Sequence, residues 1–274
     1  GALSNIGLDL ILLKFFRLGV RGAAIASVAS QGLSLALALF WLKKQGYCLG
    51  LGFDIKISLK VLAVGFTSFI VEISDAIMLA CINNIVLKNG GSDAIVIIGV
   101  ITRLSMFLYI IMIGFGQALS SLSAYNYGKK CFSKIKRLLS LSLLYSFLGS
   151  VLIWSLMMIF ARPIIGSFLK DEALLLKTVS VFRKTMMIFP LVSFYYESIY
   201  IYQALNRPKF SLFLSLYRQL ILFLPLLYIL TAFLSIRGVW LSYPLSDAIS
   251  ALSGAIICVS ALKKLKRLEI TSPE

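Results

Sequence analysis

Long apolar runs separated by short polar connectors dominate the chain. Eight such runs fall at roughly 1–16, 22–42, 61–87, 94–119, 138–160, 173–205, 210–234 and 238–262. All but the first reach the ~20 residues that a helix needs to cross about 30 Å of hydrocarbon. The first opens on the polar stretch GALSN and reads as the tail of a longer helix. Connectors such as KNGGSD (88–93), YNYGKK (125–130) and NRPK (206–209) are rich in turn formers and too short for an extramembrane domain. The pattern predicts an all-α, polytopic membrane protein with about eight transmembrane helices.

Composition narrows the chemistry. The chain is 59% hydrophobic and 14% charged, with a mean hydropathy of +0.94, whereas soluble domains carry about 25% charged residues. Histidine is absent, and the four cysteines (Cys48, Cys81, Cys131 and Cys258) show no CxxC spacing. Zinc, haem and His-based catalysis are therefore not expected, and no cofactor other than a coupling ion is implied. No GxxxxGK[ST] loop is present to drive transport with ATP, and nothing in the sequence points to an enzyme.

The net charge of +16 does not indicate nucleic acid, because the basic residues sit in the connectors. Fifteen Lys and Arg fall in one alternating set of connectors and the C-terminal tail, among them Lys129, Lys130, Lys263 and Lys264, against seven in the other. The positive-inside rule places the richer set and the C-terminus in the cytoplasm of a cell-membrane protein. Cys48 and Cys131 then face a reducing compartment, where a disulfide framework is not expected.

Charged residues inside the apolar runs are the candidate functional groups, since each costs roughly 2.5–3.5 kcal/mol at mid-membrane unless it faces a wet or protein interior. Glu72 and Asp75 lie three residues apart, so they can share one helical stripe. Arg103 sits at a depth close to that of Asp75 on the next helix, and a pair between them is one option. Even so, two carboxylates meet one cation, and a proton or Na⁺ would supply the missing charge. Glu197 and Arg218 fall at equal depth on consecutive helices, ~12 Å from the cytoplasmic side at 1.5 Å per residue. They are expected to form a structural ion pair, with a substrate or proton role for Glu197 left open. Asp247, beside Pro244 and Ser246, is a lumen candidate or a helix-terminal group. Tyr196 and its neighbours Phe194, Tyr195, Tyr200 and Tyr202 suit either cation–π contact with a cationic substrate or an interfacial belt.

An internal repeat joins distant parts of the chain. RGAAIASVASQ (21–31) aligns without gaps to RGVWLSYPLSD (237–247), an offset of 216 residues, as expected for parallel repeats about an axis along the membrane normal.

With these stretches in view, the sequence resembles the multidrug and toxic compound extrusion (MATE) transporters, within a superfamily that also holds flippases for lipid-linked precursors. SNIGLDLILL (4–13) followed by LGVRGAAIASVASQ (18–31) is similar to that family's fifth-to-sixth helix passage, and GFTSFIVE (65–72) resembles the opening of its seventh helix. GFGQALSSLSAYNYGKK (114–130) looks like the end of the eighth helix, while FPLVSFYYESIYIYQALNRPKFSLFLSLYRQ (189–219) and GVWLSYPLSD (238–247) are similar to the tenth through twelfth.

The resemblance implies that residues 1–57 hold the last two helices of an N-terminal lobe and 58–274 a complete C-terminal six-helix lobe. By the repeat offset, about 160 residues of the first lobe lie ahead of Gly1. It further implies antiport of amphipathic, cationic drugs against H⁺ or Na⁺, with Glu72 and Asp75 coupling the ion and Glu197, Asp247, Tyr196 and Arg103 near substrate. A flippase for lipid-linked saccharides, favoured by Arg103, Arg183 and Arg218, and a non-transporting remnant or subunit are the alternatives. The sequence departs from the family pattern at Ser120, Ser121 and Arg103, which bears on substrate choice.

Overall fold

The computed structural model describes residues 1–46 and 54–271, with side chains at 56, 57, 60, 61, 63–68 and 271 excepted. Cys48 lies outside the described residues. The chain divides into two compact units, Gly1–Leu62 and Ala63–Glu274, and among the described residues it is helical with no strand.

In the first unit, α1 (Ala2–Asp9) runs into a π-helical turn, Leu10–Phe15, and α2 (Gly19–Lys44) folds back against both. Gly22 makes this return possible. A Cβ there would come within 3.3 Å of the Leu12 carbonyl.

α3 (Ile55–Gly128), of which residues 63–128 belong to the second unit, is two helical arms, 55–90 and 92–128, that meet at Gly91. The KNGGSD stretch reads as a loop, yet its helices continue to within one residue of each other. Gly91 alone turns the chain, at φ 68° and ψ −164°, a conformation that essentially only glycine adopts. α4 (Phe132–Ile159) follows, then the short α5 (Ala161–Gly166) and α6 (Glu172–Thr185). Asp171 caps α6 by accepting from the backbone N–H groups of Ala173 and Leu174 at 2.8 and 3.2 Å.

The apolar run 173–205 is interrupted. A 3₁₀ turn at Phe189–Val192, holding Pro190, separates α6 from α7 (Ser193–Ala204), because proline cannot donate to the preceding turn. α8 (Pro208–Leu216), a π-helical turn at Tyr217–Phe223 and α9 (Leu224–Leu234) form the next span. α10 (Ile236–Thr271) ends the described chain.

The packing is that of a membrane protein. Along α4 the inward stripe is Ser142, Ser146 and Ser150, while Leu141, Leu144, Leu148, Leu152 and Ile159 are exposed. This reverses the pattern of a soluble helix: small residues let helices approach, and the large apolar side chains face outward, as contact with lipid tails requires. Ile97, Ile101, Leu104, Leu108 and Met112 fill one core with Phe182, Phe189 and Leu227. Leu119, Ile135, Leu139 and Leu265 build a second core at the other end.

Candidate functional site

Five segments of the second unit line a cavity of about 560 Å³. The first arm of α3 contributes Glu72 and Asp75, and its second arm contributes Gln117. Tyr195, Tyr196, Tyr200 and Gln203 come from α7; Ser211 and Ser215 from α8; Arg218 and Gln219 from the π-helical turn. Helical spacing explains the acid pair, since residues 72 and 75 lie about 60° apart around the axis. The same spacing puts Tyr196, Tyr200 and Gln203 on one face of α7.

Consecutive residues of the π turn serve different partners. Gln219 Nε2 donates to Asp75 Oδ1. Arg218 Nη2 donates to Asp247 Oδ1 on α10 at 2.8 Å and to the Tyr109 hydroxyl at 3.0 Å. Its guanidinium also lies 5.8 and 5.9 Å from the ring centroids of Tyr109 and Tyr196. The ion pair is nearly enclosed, with side-chain exposures of 17% for Arg218 and 5% for Asp247, and Arg218 is close enough to act electrostatically on Asp75 as well. Counting Glu72, Asp75 and Asp247 against Arg218 leaves the cavity and its backing with an excess of negative charge.

The expected ion pairs are rearranged. Arg218 joins Asp247, not Glu197, and Glu197 instead accepts from Ser142 Oγ at 2.7 Å on the far side of α7. Equal depth fixes only the coordinate along the membrane normal. The azimuth decides the partner, and Glu197 points away from the cavity that its neighbour Tyr196 lines. For the same reason Arg103 forms no ion pair with Asp75 among the described residues; it is exposed and outside the cavity wall. Asp247 is reached by Arg218 but does not itself line the cavity. Of the proposed substrate contacts, Tyr196 is the one in the wall.

Gln117, Gln203, Gln219 and Tyr109 escaped notice in the sequence because none carries charge. The signal of the three glutamines was present: an amide inside an apolar span needs a polar partner.

The sequence profile of the MatE family matches residues 63–229, a range that contains the whole cavity wall. The chain belongs to the MatE family. Two curated relatives are similar over nearly its whole length: the probable multidrug resistance protein YoeA of Bacillus subtilis, 23% identical over 257 residues, and the multidrug export protein MepA of Staphylococcus saprophyticus, 24% identical over 262. These alignments cover 87% and 92% of this chain but 53% and 56% of the relatives, so the chain spans about half their length.

Among solved structures, a MATE family multidrug resistance transporter of the MOP superfamily in an outward-facing conformation matches at TM-score 0.85 and 21% identity, over 96% of this chain and 61% of its own. A MOP superfamily transporter from Pyrococcus furiosus, described as having a binding pocket of reverse polarity that suggests a different function, matches at 0.85 and 22%, with the same coverage. These likenesses establish a MATE-type fold for the MatE chain.

Proposed function

We propose that this MatE chain is part of a secondary active efflux transporter in the cell membrane, with its C-terminus in the cytoplasm. It exports amphipathic, cationic drugs or metabolites in exchange for H⁺ or Na⁺ by alternating access. The observation that carries this reading is the cavity itself: two carboxylates, Glu72 and Asp75, face a wall containing Tyr196 and Tyr200. Carboxylates and aromatic faces together attract an organic cation, by Coulomb attraction and by cation–π contact. The same carboxylates take up a coupling proton or Na⁺, so cargo and ion compete for one charge and alternate. Alternating access requires a second rigid body to close the cavity, and we assign that role to a complementary lobe of the whole transporter.

A lipid-linked saccharide is a poorer fit. Its pyrophosphate calls for uncommitted cations, and Arg218, the basic residue in the described wall, is ion-paired with Asp247. The test is efflux from proteoliposomes by the transporter that contains this chain. Glu72→Gln should abolish pH- or Na⁺-driven efflux of a cationic dye while leaving expression intact. Asp75→Asn should act more weakly, since Asp75 is already held by a hydrogen bond from Gln219. Wild-type efflux by Glu72→Gln would remove Glu72 from the mechanism.

A further inference from the structure

Glu197 is the most secluded acid among the described residues. It is 0% exposed, on the face of α7 turned toward α4. Oε2 accepts from Ser142 Oγ at 2.7 Å, but Oε1 is buried without a hydrogen-bond partner. Ser146, one turn further along α4, faces the same carboxyl and is itself 0% exposed, with its Oγ also unpartnered. Two buried oxygens with unmet hydrogen-bonding capacity therefore lie between α7 and α4.

The surroundings supply no counter-charge. α4 presents the two serines, α3 the backbone carbonyl of Phe115 at 3.5 Å from Ser142 Oγ, and α10 the neutral thiol of Cys258, whose Sγ donates to the Phe194 carbonyl at 3.5 Å. Besides Cys258, the titratable group in electrostatic reach is Tyr200 on α7 itself. No ion pair to Glu197 exists among the described residues.

An ionised carboxylate in such a place lacks a counter-charge, and the two serine hydroxyls that reach it do not replace one. A proton on the carboxyl removes the charge: Ser146 Oγ can accept from the acid's O–H as readily as its own O–H could donate to a carboxylate, and the missing counter-charge decides for the acid.

We propose that Glu197 is a proton-binding site in the lobe interior, separate from the cavity-facing pair Glu72 and Asp75, with its proton on Oε1 and directed at Ser146 Oγ. α7 links the two places: Glu197 lies on one face of this 12-residue helix, and Tyr196 and Tyr200 stand in the cavity wall on another. Rotation of α7 that admits water to Glu197 lets the proton pass to water, leaves a carboxylate behind and reshapes the cavity wall in the same movement. Occupancy of the site does not depend on the transport reading. Only this consequence for the wall rests on it.

The experiment is infrared spectroscopy of the purified chain in lipid nanodiscs near neutral pH, which reads protonation without transport. The carbonyl stretch of a protonated carboxylic acid should be present in the wild type, lost in Glu197→Gln, displaced in Ser146→Ala and retained in Glu72→Gln. Ser146→Ala keeps the test decisive should Glu197→Gln fold poorly. Absence of the band in the wild type, or its persistence in Glu197→Gln, would overturn the proposal. Conversion of the band to a carboxylate signal on adding Na⁺ would also overturn it, by assigning Glu197 to Na⁺. Failure of Glu72→Gln to impair efflux would leave this result untouched.

Discussion

Arg218 and Asp247 form a 2.8 Å ion pair that ties the π-helical turn after α8 to the middle of α10. Each partner alone would be a nearly buried charge without its ion-pair partner. Asp247→Asn and Arg218→Met should each destabilise the purified chain by about 3–5 kcal/mol, and the double substitution should recover much of that loss. Unfolding of the four variants in detergent closes the cycle. Simple additivity would show that the two side chains are not coupled.

Tyr196 and Tyr200 should act through their rings. Each alanine substitution should weaken binding of a fluorescent organic cation by roughly 0.5–2 kcal/mol, about 2- to 30-fold in Kd, whereas phenylalanine should largely preserve it. A dye titration that distinguishes Ala from Phe at both positions checks this. Equal affinities for the wild type and both alanine variants would move the cargo elsewhere.

The eight-run pattern conveyed the fold well because lipid-facing helices must be apolar over their full length. Interruptions inside a run were harder to see. Pro190 marks the break between α6 and α7, but the π turn at Tyr217–Phe223 carries no proline or glycine and so no punctuation. At the site, Glu72 and Asp75 stood out through charge alone. The partners of Arg218 and Glu197 did not, since sequence position gives depth along a helix but not which neighbour its face meets. Ser142 and Ser146, which enclose Glu197, look like ordinary small residues of helix packing.

Gly254 sits where α10 crosses α7. A Cβ there would fall 2.4 Å from Tyr195 Cα and 2.6 Å from its backbone nitrogen, and backbone cannot swing aside as a side-chain tip can. Gly254→Ala should destabilise by about 1–3 kcal/mol. Gly99→Ala, whose Cβ meets nothing within 4 Å, should be neutral or stabilising by up to about 1 kcal/mol. Thermal melting of the two variants gives the comparison, and equal losses would contradict the close crossing.

Orientation has its own check. In a background with the native cysteines replaced by serine, Lys264→Cys should react with an impermeant maleimide only after the cells are opened, and Asn89→Cys in intact cells. The reverse pattern would invert the topology drawn from the basic connectors.

The π-helical turn has a consequence for how the chain tolerates change in length. It accommodates a residue more than an α-helix of the same rise would, and Arg218 and Gln219 lie inside it. Deleting Leu220 would let the segment relax into regular α-helix without breaking the span, yet the two neighbours would lose the divergence that sends one to Asp247 and the other to Asp75. Insertions and deletions in most helices are failures of folding. Here a one-codon deletion would leave a folded span whose polar contacts have been reassigned, and the length of this turn is therefore as much a determinant of the cavity as the side chains that line it.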